Sequence, residues 1–419
     1  MLSPLRDFLV TESAGALLIA VGAAAALVWA NSPWAASYES FWSSRFSITA
    51  AGHTLDLDVR HWLNDGLMTV FFLVVGLEIK REMTDGHLAT RRSAALPMVA
   101  AVGGMVVPAL IYLAIAGGTA SRGWAIPMAT DIALAVGVLA VAGSRLPTSL
   151  RAFLLGLAIV DDIGAIVVIA AVYSTGLSWA WLGAAAVLLL VVVAVRWAGV
   201  HALVVYIGLG SLVWLAMHEA GVHPTLAGVA LGLLAPSVPR LSAEYIDADD
   251  LADVSTAAAA HTTSELAKGS VSVVEWLQHM LHPWTSYLIV PVFALANAGI
   301  EISNDGLRDA IGSPIAWGVF AGLLLGKPLG VVGAVLLSVR TGAVDAPQGT
   351  RRVQLLGIGT AAGIGFTVAI FITELALPDP EQQASAKLAI LAASVVAAAA
   401  SAIMLRLGPS TGALDQAEG

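Results

Sequence analysis

The chain has 419 residues, of which 58% are apolar and 12% charged, with a mean hydropathy of +0.85, whereas an ordinary soluble domain is roughly a quarter charged. A net charge of −9 without a basic block gives nucleic acid nothing to hold, and the absence of cysteine rules out disulfides, thiolate chemistry and iron–sulfur clusters. The solvent for such a chain is lipid, and at ~20 residues per crossing its length accommodates about twelve helices and no large extramembrane domain.

In chain order, apolar runs bounded by charge, Gly and Pro predict spans near 13–30, 61–79, 94–117, 123–143, 150–174, 179–197, 202–217, 222–236, 274–299, 314–339, 353–375 and 385–405. The first run is read as a retained helix, not a signal peptide, because Asp7 and Glu12 spoil a basic leader. Between the first two spans, residues 43–58 alternate apolar and polar positions around Ala51-Gly52-His53 and predict a small β-hairpin on the outer face. Residues 237–271, with Glu244, Asp247, Asp249 and Asp250, read as a flexible cytoplasmic loop. Lys80, Arg81, Arg91, Arg92, Arg351 and Arg352 fall on one side of the alternating helices, and Arg45, Arg60, Arg122, Arg308 and Lys387 on the other. The positive side holds most of the basic residues and puts both termini in the cytoplasm. The expectation is an all-α polytopic membrane protein with a single transporter domain.

Four residues lie inside apolar runs where charge is costly: Asp131, Asp161, Asp162 and Lys327. A buried ion pair that ties helices together accounts for Asp131 or Lys327 as readily as function does. It does not account for both members of Asp161-Asp162, because adjacent helical residues point about 100° apart and one lysine cannot neutralise both. Two neighbouring carboxylates in low dielectric oppose each other's ionisation, so the pair titrates as a unit and takes either protons or a compensating cation. Oxygen ligands suit a small hard cation such as Na⁺ or Li⁺.

The span at 123–143 contains Gly123, Pro127, Thr130 and Gly137, and the span at 353–375 contains Gly357, Gly359, Gly363 and Gly365. Each is the middle helix of a three-helix unit, 94–174 and 314–405, and such matched interrupted helices point to inverted-topology repeats with two discontinuous helices crossing near the midplane. Asp131 would offset the positive ends of the broken helices and Lys327 the negative ends.

The segments ATDIALAVGVLA, LAIVDDIGAIVVIA, GVHPTLAGVALG, LHPWTSYLIVPVFALANAGI, GKPLGVV, GIGFTVAIFI and NDGLMTVFFLVVGLEIKRE resemble the NhaA-type bacterial sodium/proton antiporters, in the family's order from about residue 10 to 405. The resemblance implies secondary transport in the bacterial inner membrane, about two protons in for one Na⁺ or Li⁺ out, electrogenic, shut down at acidic pH, with no cofactor and with a homodimer in the lipid bilayer. It implies that Asp162 binds the cation, that Asp161 exchanges a proton and pairs with Lys327, and that Thr130 and Asp131 stand at the break of the fourth helix. It assigns the pH response to Glu78, Glu82 and His279, with His223 a further family histidine beside Pro224. Where the family commonly has Glu before that ninth-helix histidine, this chain has Gln278, and Glu275, four positions before His279, is the candidate replacement. Two other readings remain at this point: a Na⁺-coupled symporter of an organic anion on the same fold, and an intramembrane aspartyl protease using Asp131 and Asp161, for which the Gly-x-Gly-Asp motif is missing.

Overall fold

The computed structural model describes residues 3–50, 53–86, 88–142, 147–200, 202–238, 272–344 and 350–407. The expected loop at 237–271 falls almost wholly outside these, as does the Ala51-Gly52 turn of the hairpin. Helix α1 is Ser3–Ala30 and α2 is Ala35–Trp42. Strands β1 (Arg45–Ala50) and β2 (His53–Asp58) pair antiparallel, with Phe46 opposite Leu57 and Ile48 opposite Leu55. The expected hairpin is therefore present. Helix α3 (Val59–Thr84) comes directly after it, its first turn capped by the Asp58 carboxylate accepting from the His61 amide at 2.7 Å. Then come α4 (Arg91–Ala120), a 3₁₀ segment (Ser121–Met128), α5 (Ile132–Ala142), α6 (Thr148–Val172), α7 (Trp179–Trp197), α8 (Leu203–Glu219) and α9 (Thr225–Leu234). Helix α10 runs unbroken through Val273–Trp284, Thr285–Ile289 and Val290–Asn297. After α11 (Asn304–Gly312) come α12 (Pro314–Arg340), α13 (Arg352–Ala361), α14 (Phe366–Ala376) and α15 (Pro380–Leu407).

Helix occupies each apolar run marked in the sequence. Among the described residues, seven helices are long and apolar enough to cross a membrane alone, and α13 with α14 makes an eighth as a pair bent by 47°. A helix closes its backbone hydrogen bonds internally, which lets it face lipid, and the outward surface is correspondingly apolar, with Leu190, Val204 and Val395 at 68%, 79% and 70% exposure. The chain is a multi-pass membrane protein. Two short helices, α2 and α11, were not foreseen. They are amphipathic turns between spans, and α11 starts because the Ser303 hydroxyl accepts from the Gly306 amide at 2.9 Å.

Glycine sets the closest helix approaches. A Cβ on Gly76 of α3 would come within 2.8 Å of the Val229 carbonyl of α9, and one on Gly326 of α12 within 2.7 Å of Pro108 Cα on α4. Local π-helical turns interrupt α3 at Leu63–Leu67, α10 at Thr285–Ile289 and α12 at Gly322–Gly326. The last two have a visible cause. Pro291 and Pro328 cannot donate to the carbonyl four residues back, and a widened turn just before each proline accommodates the missing bond.

Candidate functional site

The two broken helices meet at their breaks. Residues Ala129 to Asp131 are non-helical between the 3₁₀ segment and α5, and Ala362 to Gly365 separate α13 from α14. Pro127 just before the first break and Gly363 and Gly365 in the second weaken helix, and each break supplies backbone groups to the other. The Asp131 amide donates to the Ile364 carbonyl at 2.6 Å, and the Thr130 hydroxyl lies 2.8 Å from the Ala362 carbonyl.

Asp131 is 2% exposed and caps both half-helices at once. Its Oδ1 accepts from the Leu134 amide at 3.1 Å, in the first turn of α5. Its Oδ2 accepts from the Thr367 amide at 3.1 Å and the Thr367 hydroxyl at 2.6 Å, in the first turn of α14. A single carboxylate thus faces the positive ends of two helices. Thr367 was not foreseen as a site residue, although it lies directly after the glycine-rich break.

The adjacent acids on α6 stand in different environments. Asp161 is buried, and its Oδ2 receives the Lys327 ammonium and lies within hydrogen-bond reach of the Thr130 hydroxyl. Lys327 also donates to the Thr130 oxygen at 3.0 Å. The other Asp161 oxygen, Oδ1, is buried with no hydrogen-bond partner among the described residues. Asp162 is 6% exposed and accepts no hydrogen bond from the described residues. Instead it lines a cleft, together with Glu78, Thr130, Asp131, His282 and Thr367. Thr285 and Ser286, on the π turn of α10, also line it. Lys327 is bound to an aspartate, as the resemblance implies, and to a threonine, and the freed carbonyl at Ala362 is met by Thr130 rather than by the lysine.

The structure therefore brings Thr130, Asp131, Asp161, Asp162 and Lys327 into one buried group, with Glu78 on the wall of the same cleft. Other pH-response candidates lie elsewhere. Glu82 is buried one turn further along α3. Gln278 is buried with its amide oxygen 3.4 Å from Arg81 Nη1, whereas Glu275 and His279 are exposed and do not line the cleft. It is His282, one turn beyond Gln278, that reaches the wall. His223 sits at the hairpin end of the bundle, ahead of α9, with Nδ1 at 2.7 Å from Thr225 Oγ1 and Nε2 at 3.6 Å from Asp65 Oδ1. Asp131 and Asp161 are committed to different partners, so the two do not form the proton-sharing dyad that a protease would need.

A family model described as Na⁺/H⁺ antiporter 1 matches residues 6–405. The chain is 44% identical over 409 residues to the Na⁺/H⁺ antiporter NhaA 3 of Frankia alni, covering 96% of this chain and 88% of that protein. It is 43% identical over 425 residues to the Na⁺/H⁺ antiporter NhaA of Oleidesulfovibrio alaskensis, covering 97% and 94%, and 40% identical over 416 residues to the Na⁺/H⁺ antiporter NhaA 2 of Erythrobacter litoralis, covering 99% and 96%. With a match that runs from the first helix to the last and an aspartate pair, a lysine and two broken helices gathered at one place, this chain belongs to the NhaA-type Na⁺/H⁺ antiporter family.

Proposed function

We propose that this Na⁺/H⁺ antiporter exchanges its cargoes at Asp161 and Asp162, by alternating access across the bacterial cytoplasmic membrane. The observation that carries the reading is the asymmetry of the pair. Asp161 is tied to Lys327 and Thr130, while its neighbour faces the cleft without a hydrogen bond from the described residues. Such a carboxylate, in low dielectric beside another, is compensated either by a proton or by a cation that arrives through the cleft, but not by both. The Asp162 oxygens, with Thr130 and Asp131 on the same wall, are the oxygen donors a desolvated Na⁺ or Li⁺ needs.

In this reading Na⁺ enters the cleft, binds at Asp162 and releases the proton held there. Binding weakens the hold of Lys327 on Asp161, and the second acid joins the exchange, giving about two protons per cation. Twelve crossings, with both termini in the cytoplasm, are supported by the even number of apolar runs and the bias of Lys and Arg. Inverted repeats over 94–174 and 314–405 are supported by the way the two breaks satisfy each other. Glu78 and His282, on the cleft wall, are the groups placed to couple exchange to cytoplasmic pH. The exposed hairpin edges offer a second copy of the chain a pairing surface.

The test is Asp162→Asn in everted vesicles, read with a fluorescent pH probe on adding Na⁺ or Li⁺. The variant is expected to insert and fold but to show no cation-driven proton movement. Retained Na⁺-dependent proton release would refute the assignment.

A further inference from the structure

A second carboxylate–ammonium pair lies at the hairpin end of the bundle. Lys387 Nζ on α15 donates to Glu374 Oε1 on α14 at 3.1 Å, and the two side chains are 11% and 18% exposed. The other Glu374 oxygen accepts from Asn64 Nδ2, on the π turn of α3. Asn64 and Asn297, the latter at the end of α10, exchange reciprocal amide bonds at 3.2 and 2.9 Å, and Asn297 also donates to the Phe293 carbonyl at 3.0 Å. Four helices are thereby joined by one chain of polar contacts. Asp65 and His223 stand close by but face each other.

The position of Glu374 relates this group to the exchange site. Thr367, which holds Asp131, Phe371 and Glu374 fall on one face of α14, and Glu374 lies about 10 Å further toward the hairpin end at 1.5 Å per residue. Between them Phe371 packs its ring against Phe72, His223 and Phe293, with centroids 5.5, 5.0 and 6.3 Å away. Past this aromatic layer on the same face of α14 stands the polar group around Glu374. Stability alone does not explain it, because apolar side chains of similar volume hold helices at least as well as a buried ion pair. The difference between the two kinds of contact emerges on opening: water re-solvates parted polar groups, whereas parted apolar faces are left exposed.

We propose that Glu374 and Lys387, held to Asn64 and Asn297, are the latch that closes the transport path at the hairpin end, and that it parts when the site opens to that side. The proposal rests on the alternating-access reading and on the hairpin face being the outer one. Because the chain has no cysteine, a single introduced thiol reports without background. Ile370, fully buried one turn inward of Glu374, is the place for it. In an Ile370→Cys background that still exchanges Na⁺ for protons, Glu374→Gln and, separately, Lys387→Met are expected to speed labelling by a membrane-impermeant maleimide added from the hairpin face. The expected factor is about tenfold, the shift that losing one charge-assisted hydrogen bond makes in an equilibrium. The exchanged pair, Glu374→Lys with Lys387→Glu, is expected to restore protection. Unchanged labelling in both single variants overturns the latch, and so does faster labelling accompanied by loss of folded protein. The exchange reading is judged separately, by Asp162→Asn.

Discussion

Asp131 is expected to contribute helix capping beyond its place on the cleft wall, and Asp131→Asn isolates that contribution. The side-chain amide of Asn has one acceptor oxygen. Placed toward Thr367, it turns its NH₂ toward the Leu134 amide, and placed the other way it faces the Thr367 amide, so one buried backbone N–H loses its acceptor in either pose. An orphaned buried donor costs about 1–3 kcal/mol. Removing the negative charge from two helix N-termini adds roughly 0.5–1 kcal/mol at each. The variant is therefore expected to be less stable by about 2–5 kcal/mol, read as a drop of several degrees in the thermal unfolding of the detergent-solubilised protein. Asp162→Asn, whose carboxylate accepts nothing from the described residues, is expected to leave that temperature unchanged or raise it, because it removes a buried charge. Thr367→Val deletes only the 2.6 Å hydroxyl bond and is expected to couple to Asp131→Asn by about 1 kcal/mol in a double-mutant cycle. If Asp131→Asn unfolds at the wild-type temperature, or if the two changes are additive, the capping argument fails.

Gly76→Ala, which brings a methyl against the Val229 carbonyl, is expected to destabilise by about 1–3 kcal/mol, while Gly183→Ala, with nothing within 4 Å, serves as the neutral control; equal unfolding temperatures would refute the close-packing reading of α3 on α9. Gln278→Glu restores a carboxylate one turn from the cleft, beside Arg81, and is expected to lower the apparent KM for Na⁺ about twofold at low ionic strength and to lose that effect in high salt. A shift that persists in high salt would count against it. At the hairpin end, outside the spans, the Tyr38 hydroxyl lies 2.9 and 2.8 Å from the Leu295 and Ala296 carbonyls, with one hydrogen to donate between them, and burial pushes its phenol up to about 12. A group raised in the folded state stabilises fully below the unfolded value near 10 and loses that contribution as pH rises through 12. Tyr38→Phe is therefore expected to remove one late-titrating phenol from the tyrosinate absorbance and to cost about 1 kcal/mol; an unchanged titration would refute the assignment.

The parts of this molecule legible from sequence are those where one residue violates its surroundings. Asp161, Asp162 and Lys327 interrupt apolar runs, and the cost of charge in lipid makes each conspicuous without any structure. Gly and Pro mark the two breaks by the same logic. Thr367 carries no such mark. A threonine in a membrane helix ordinarily bonds its own preceding turn, as Thr373 does with the Ala369 carbonyl at 2.8 Å, and only the approach of a different helix turns Thr367 toward Asp131. Glu374 and Lys387 are hidden for a further reason. They stand near the ends of apolar runs, where charge is normal, and the charge count that places Lys387 among ordinary outer-side residues cannot see that it is buried against an acid thirteen positions away.

Gln278 shows where sequence comparison and geometry diverge. Set against the family pattern it is a lost carboxylate with Glu275 as its replacement. In the fold, Glu275 is exposed and Gln278 keeps the acceptor function toward Arg81 without the charge. What this chain has given up at that position is a field at the mouth of the cleft, not a hydrogen bond. The acids that remain on the cleft wall, Glu78, Asp131 and Asp162, then carry cation attraction, with His282 beside them among the described residues of that wall. Glu275 and His279 do not line the cleft, so a pH response that acts through it is expected to involve Glu78 and His282, which do.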